Sequence, residues 1–360
     1  MAELVHGGDI YSAREKGLTR ILDFSANINP LGMPREIHDA ACQALKACEH
    51  YPDPLCRQLC GAIAKQKGMD PSWVVCGNGA ADVIFRLVWA LKPRRALLPA
   101  PTFAEYEQAL RSVGCQVDYL VLRREEGFRL TPRMVELLQE GEYDIAFICS
   151  PNNPTGQLVP RELLLEVLAA CEETGCLLAV DECFLDFVEP QKAVSLVSQL
   201  HKSQSLFLLQ AFTKMYAMAG LRLGYGMCSN VGLLRKIGEC GQPWSVSIPA
   251  QAAGIAALEL TQIPRRTREF LAQERPRLVE GLRRMGFWVA EPCANYIFFQ
   301  APGWETLRQE LEEEGILIRS CANYPGLGGD YYRIAVRSRE ENTEFLRVLN
   351  RHGEGRRVSG

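Results

Sequence analysis

The sequence predicts an α/β protein: a large domain with a mostly parallel seven-stranded sheet between helices, joined to a smaller α+β domain. Three observations carry this. From residue 73 to about 226, short apolar runs alternate with helical patterns. Several of those runs are apolar on both faces, as strands covered by helices on each side must be. Past about residue 245 the pattern changes to charged amphipathic helices separated by short strands. The length, 360 residues, exceeds what one small core needs. A content of 47% hydrophobic and 23% charged residues excludes disorder, collagen-like repeats and coiled coil over most of the chain.

Taken in order, residues 1–45 are rich in Gly, Asn and Pro and are expected to pack on the small domain. Residues 46–244 form the large domain and 245–360 the small one. Strands are expected at 73–76, 96–99, 116–122, 144–149, 177–180, 205–209 and 223–227. Helical periodicity occupies 80–91, 103–112, 132–140 and 161–174, with Gly175 placed to end the last. In the C-terminal third, 269–285 and 304–314 read as amphipathic helices and 340–350 as a final helix. Strands are expected at 296–300, 317–320 and 332–336, and a frayed tail at 353–360.

Composition also limits partners and compartment. Forty basic against 43 acidic residues leave a net charge of -3, with no global attraction to nucleic acid or an anionic membrane. The start, Met1-Ala2-Glu3-Leu4-Val5-His6, has neither the basic nor the apolar part of a secretory signal. The nearest thing to a spanning segment, 240–264, is broken by Pro243 and Pro249 and carries Glu259. A cytoplasmic location follows, with the 14 cysteines as reduced packing thiols. No C-x-x-C pair occurs, and Cys56/Cys60 and Cys171/Cys176 lack nearby histidines, so no metal site is expected.

In open α/β sheets ligands bind beyond the carboxyl ends of the strands, and there the loops are loaded. Gly77-Asn78-Gly79-Ala80-Ala81-Asp82 enters a helix whose N-terminal N–H groups can face an anion. Ser150-Pro151-Asn152-Asn153-Pro154-Thr155-Gly156 is a rigid turn with amide donors. Asp181 ends a buried strand, where a carboxylate needs a cation or a strong donor. That partner is either a salt-bridging Arg or Lys, or a protonated ring nitrogen. Thr213-Lys214 follows the next strand, with Arg222 eight residues on. A desolvated lysine near other cations loses basicity and can form a Schiff base. No one of these is specific; their order is.

With this ordered set, essentially the whole chain resembles the fold-type I pyridoxal-phosphate enzymes, the aspartate aminotransferase superfamily. The resemblance implies pyridoxal 5'-phosphate as cofactor, carried by Lys214 as an internal aldimine, with Asp181 on the pyridine nitrogen and Asn153 on the ring 3-oxygen. Phe103 would lie on the ring face. Gly79, Ala80 and Ala81, Thr213 and Arg222 would take the cofactor phosphate. Tyr51, in Tyr51-Pro52-Asp53-Pro54, would reach the phosphate of a neighbouring subunit, which implies a homodimer.

The runs His6-Gly7-Gly8, Ser25-Ala26-Asn27, Arg319-Ser320-Cys321-Ala322-Asn323-Tyr324-Pro325-Gly326 and Tyr332-Arg333-Ile334-Ala335 narrow this. They are similar to a branch of the superfamily, the L-threonine O-3-phosphate decarboxylases of cobalamin synthesis, and less so to the histidinol-phosphate aminotransferases. The likeness implies a small phosphorylated amino acid as substrate. Arg333 would bind the carboxylate, and Asn153 would also take part in substrate binding. Arg319 would bind the phosphate, helped by His6, the Gly7 backbone and Asn27. Arg337 reads as a surface charge. Residue types leave decarboxylation and transamination both open, and phosphoserine as well as phosphothreonine. No helix-turn-helix pattern precedes residue 25, which weighs against a ligand-sensing regulator on this fold. Two positions depart from the superfamily. Ala211 stands where many relatives have Ser or Thr, and Phe184 where the aspartate type has Tyr.

Overall fold

The computed structural model describes residues 7–190 and 194–359. Strand β1 (Leu22–Asp23) belongs to the small sheets described below. The central sheet contains β2 (Val74–Gly77), β3 (Arg95–Ala100), β4 (Gln116–Val121), β5 (Ile145–Cys149), β6 (Leu177–Asp181), β7 (Leu206–Ala211) and β8 (Gly224–Met227). Their order is β2-β8-β7-β6-β5-β3-β4. Each expected run is a strand, with ends within a residue or two. Every residue of β5 and β6 is buried, which is why these runs carry no polar alternation.

Only β8 runs against its neighbours, antiparallel to both β2 and β7. This reversal has a consequence for the site. The parallel strands deliver the residues that follow them to one edge of the sheet. Because β8 points the other way, Arg222, which precedes it, arrives at that same edge. Gly224 opens β8, and a Cβ there would lie 2.3 Å from the Ala80 nitrogen. The strand therefore passes flush beneath the turn that follows β2, which only glycine permits.

The helices Ala80–Leu91, Ala104–Ser112, Arg133–Glu140 and Arg161–Thr174 stand where the periodicity placed them. Gly175 ends the last in the left-handed conformation, φ 74°. The helices Arg35–Ala44, Arg57–Lys67, Val231–Cys240 and Ile248–Glu259 went unread. In the last, the buried side is built from Ala250, Ala253, Gly254 and Ala257. Such a seam gives no apolar stripe against an apolar surround. Pro249 sits in its first turn, where a missing N–H is harmless. It lies against Arg35–Ala44 and Arg57–Lys67, so chain from both sides of residue 245 meets in one layer.

The C-terminal third adds β9 (Trp288–Val289), β10 (Tyr296–Gln300), β11 (Ile316–Leu317), β12 (Arg319–Ser320) and β13 (Tyr331–Ala335). An antiparallel sheet has the order β12-β13-β10-β9, while β11 pairs in parallel with β1. Three expectations need correction. The single strand at 317–320 is two strands, because the chain leaves one sheet for the other at the buried Ile318. The helix expected from 269 begins at Gln262, since Pro264 in its first turn starts a helix rather than breaking it. The tail expected to fray is helical to Ser359. There Arg351 bridges to Glu314 at 2.7 Å, and Gly353 lies so close to Met285 that a Cβ would meet its Cε at 2.1 Å.

Among the described residues no helix is long and apolar enough to cross a membrane, and no cluster of His, Cys, Asp and Glu could hold a metal ion. The cysteines are unpaired and mostly buried. Burial raises the thiols of Cys115, Cys228 and Cys321 to about 11, so these pack as neutral groups.

Candidate active site

A cavity of about 540 Å³ opens at the carboxyl edge of the central sheet. Lys214, Asp181, Asn153, Phe103, Ala80, Ala81, Thr213, Arg222, Gly7, Asn27, Arg319 and Arg333 all line it. Gly79 stands just behind, at φ 88°, where a Cβ would lie 2.4 Å from Arg222 Nη2. Tyr51 does not line this cavity. It is 77% exposed and stacks on Trp244 at 4.6 Å between ring centroids. His6 lies outside the described residues. Arg337 also stays away, paired with Glu341 at 3.0 Å.

Each side chain is placed by its element. Asp181 is the last residue of β6 and is 4% exposed. One carboxylate oxygen accepts the Cys183 backbone N–H at 2.9 Å, the other the Tyr106 hydroxyl at 2.6 Å. Lys214 sits in the short helix Phe212–Met215 directly after β7. Burial lowers its amine from 10.5 to about 8, and the Arg333 and Arg222 guanidinium groups act in the same direction. More of it is therefore uncharged near neutral pH than of an ordinary lysine, which favours condensation with an aldehyde. The Phe184 ring lies 5.9 Å from this amine.

The arginines come from the small sheet. Arg319 on β12 and Arg333 on β13 are direct cross-strand partners. Arg333 is buried; it donates to Asn153 Oδ1 and, at 2.7 Å, to the Ser25 carbonyl. Its Nε is buried without a partner among the described residues. Arg319 donates to Asn323 Oδ1 at 2.7 Å and lies 5.5 Å from the Tyr324 ring. Asn27 Oδ1 is likewise buried and unpartnered. Gly7 approaches this wall so closely that a Cβ would fall 2.1 Å from the Ser25 carbonyl oxygen. The Gly8 N–H binds Ser25 Oγ at 2.7 Å.

Several site residues escaped the sequence reading. Tyr106 stands three residues after Phe103 and carries no motif of its own. Nothing in its spacing says that its hydroxyl meets an acid 75 positions away. Ser25, whose carbonyl holds Arg333 and whose hydroxyl holds Gly8, is legible only once the termini are seen together. Tyr324, Cys149 and Cys183 also line the cavity.

This donor set fits pyridoxal phosphate. The Arg222 guanidinium occupies the space a Cβ at Gly79 would fill, which sets it against the N-terminus of the helix Ala80–Leu91, a combination suited to a phosphate. Asp181 offers an oriented carboxylate for a ring N–H, and Lys214 an amine of lowered basicity. The residues that could hold the group are thus those already named. Bound there, the cofactor supplies an electron sink for charge developing on a substrate carbon.

The sequence agrees with the geometry. Residues 19–349 match the family model for aminotransferase class I and II, and the chain belongs to that family of pyridoxal-phosphate enzymes. Among relatives, it is 38% identical over 349 residues to a threonine-phosphate decarboxylase of Salmonella typhimurium, covering 96% of this chain and 95% of that one. The solved histidinol-phosphate aminotransferase of Clostridium acetobutylicum superposes with a TM-score of 0.86 at 31% identity, covering 93% of this chain and 100% of that one. A histidinol-phosphate aminotransferase of Sinorhizobium meliloti, solved with pyridoxal-5'-phosphate, shares the fold. Its TM-score is 0.87 at 19% identity, over 97% of this chain and 95% of that one.

Proposed function

We propose that the protein decarboxylates L-threonine O-3-phosphate to (R)-1-aminopropan-2-yl phosphate, as a step of cobalamin synthesis, in the cytoplasm and as a homodimer whose Tyr51 enters the neighbouring site. The observation that carries a doubly anionic substrate is the Arg319–Arg333 cross-strand pair. Like charges directly opposite on a sheet are unfavourable unless an anion lies between or beside them. Four cations, Lys214, Arg222, Arg319 and Arg333, line the cavity against two carboxylates, Asp181 and Glu105. The cofactor phosphate would pair with Arg222, which leaves the other two guanidinium groups for a substrate with two anionic ends. The likeness to the Salmonella enzyme favours a phosphoamino acid that loses CO₂.

The residues divide the work. Arg333, held by Asn153 and Ser25, presents a fixed guanidinium edge to the carboxylate. Arg319 takes the phosphate with the help of Asn27 and the Gly7 backbone, and His6 is proposed as a further phosphate ligand on the family likeness alone. At Asn27 the amide turns its NH₂ toward the anion, an orientation open to any Asn side chain. Asp181 holds the proton on the ring nitrogen. Lys214, mostly protonated at neutral pH, delivers a proton to the substrate carbon that has lost CO₂ and regains one from solvent.

The likeness to the Clostridium structure favours a second reading, amino transfer to or from histidinol phosphate. One assay separates them. Purified holoenzyme is given O-phosphothreonine, O-phosphoserine and histidinol phosphate in parallel, each with and without 2-oxoglutarate. CO₂ released from phosphothreonine without an oxo acid supports the proposal. Glutamate formed from histidinol phosphate, with no CO₂ from either phosphoamino acid, overturns it.

A further inference from the structure

The ring-facing and nitrogen-facing sides of the cofactor site are tied together by one short helix. Phe103 caps the helix Ala104–Ser112, and Tyr106 lies one turn further on. Their rings meet edge to face at 5.5 Å. Tyr106 is fully buried and stacks on Phe147 of β5 at 4.7 Å and 12°. Its hydroxyl donates to Asp181 Oδ2 at 2.6 Å, within the short range of charge-assisted O–H···O⁻ bonds.

The other groups around Asp181 do not substitute for that bond. Cys183 supplies its backbone N–H to Oδ1, the opposite oxygen, and its thiol also meets the carboxylate, as a weaker sulfur donor. Cys149, the cross-strand neighbour of Asp181, directs its thiol to the Pro151 carbonyl at 3.2 Å. Burial keeps the Tyr106 phenol well above its ordinary range, so the hydroxyl stays protonated and acts as the donor. Both oxygens are thus oriented by donors from different elements, and Oδ2 keeps a second lone pair for a further proton.

We infer that Tyr106 is a positioning residue for the cofactor: acting through Asp181, its hydroxyl sets how the carboxylate faces the pyridine nitrogen and how the shared proton divides between them. A donor to Oδ2 draws charge from the carboxylate and leaves more of the proton on nitrogen. Removing the donor frees the carboxylate to turn and makes it a stronger competitor for the proton. Both effects move the nitrogen toward neutral pyridine. The inference rests on the cofactor alone and not on which substrate is used.

The test is the nitrogen-15 resonance of the ring nitrogen in substrate-free holoenzyme loaded with ring-labelled pyridoxal phosphate, together with the cofactor dissociation constant. Tyr106→Phe keeps the stack on Phe147 and removes only the hydroxyl. It is expected to move the resonance toward neutral pyridine and to weaken cofactor binding by about tenfold, the scale of one charge-assisted hydrogen bond. A fluorotyrosine at position 106 keeps the shape and strengthens the donor, so the resonance should move the opposite way, toward pyridinium. Tyr225→Phe, which removes a buried hydroxyl bonded to Gln210 rather than to Asp181, should leave the resonance in place. Opposite displacements for the two position-106 proteins support the inference; should Tyr106→Phe prove too unstable to load, a move toward pyridinium in the fluorinated protein supports it. An unmoved resonance in the fluorinated protein, or the same displacement in Tyr225→Phe as in Tyr106→Phe, overturns it and leaves Tyr106 a packing residue.

Discussion

Lys214→Met in the cofactor-free protein tests the electrostatics of the site directly. The amine is lowered from 10.5 to about 8 by burial first, with Arg333 and Arg222 adding to it. A base whose folded value lies below its unfolded one binds fewer protons when folded, so its contribution to stability rises with pH between those two values. Below about pH 8 the amine is charged in both states and the full cost of burying it is present; that cost is relieved as pH climbs toward 10.5. The difference between the two values corresponds to about 3 kcal/mol. Methionine has similar length and no charge, so the variant should be more stable than the parent by about that amount near pH 7, plus a pH-independent gain from its apolar end. The pH-dependent part should fade as the pH rises. Urea unfolding of both proteins at matched concentration across that range gives the difference directly, since all other titrating groups cancel. A stability difference that stays flat from neutral to alkaline pH would refute the picture of a desolvated amine beside two guanidinium groups.

Three further outcomes are expected. Gly79→Ala places a Cβ 2.4 Å from Arg222 Nη2 at φ 88°, a backbone state that costs an ordinary residue about 1–3 kcal/mol; melting temperature and cofactor affinity should both fall, read by calorimetry and by cofactor fluorescence. In the cofactor-free protein, Arg319→Gln relieves the cross-strand repulsion and should hold or raise the melting temperature. Arg333→Gln strands Asn153 Oδ1 and the Ser25 carbonyl and should lower it, each lost charge-assisted bond costing about 1.5–3 kcal/mol of stability. Phe184→Tyr brings a phenol beside Lys214, where it can donate to the cofactor's ring oxygen and favour the deprotonated linkage. Its absorbance titration should therefore shift to lower pH than that of the parent holoenzyme.

Much of the site could be read before any coordinates because its parts stand at strand ends. Asp181 closes the wholly apolar run of β6, and Lys214 follows the apolar run of β7 by three residues. A charge at the edge of such a run has to be used or neutralised, and that need is visible in a one-dimensional pattern. One of the unread helices shows the opposite case. Around Ile248–Glu259 the surroundings are apolar on several sides, so the sequence carries no stripe to mark a face.

Local sequence thus determined the seven strands, the helices between them and the chemical types gathered at the sheet's edge, because burial on two faces and helical periodicity both act over a few residues. Tertiary structure alone decided which of those groups touch. The Arg319–Arg333 register, the Ser25 carbonyl beneath Arg333, the reversed β8 that returns Arg222 to the site and the Tyr106 hydroxyl on Asp181 each join residues from different elements. Such contacts are fixed by how sheets and helices close around a shared core, a global condition that leaves no periodic trace along the chain.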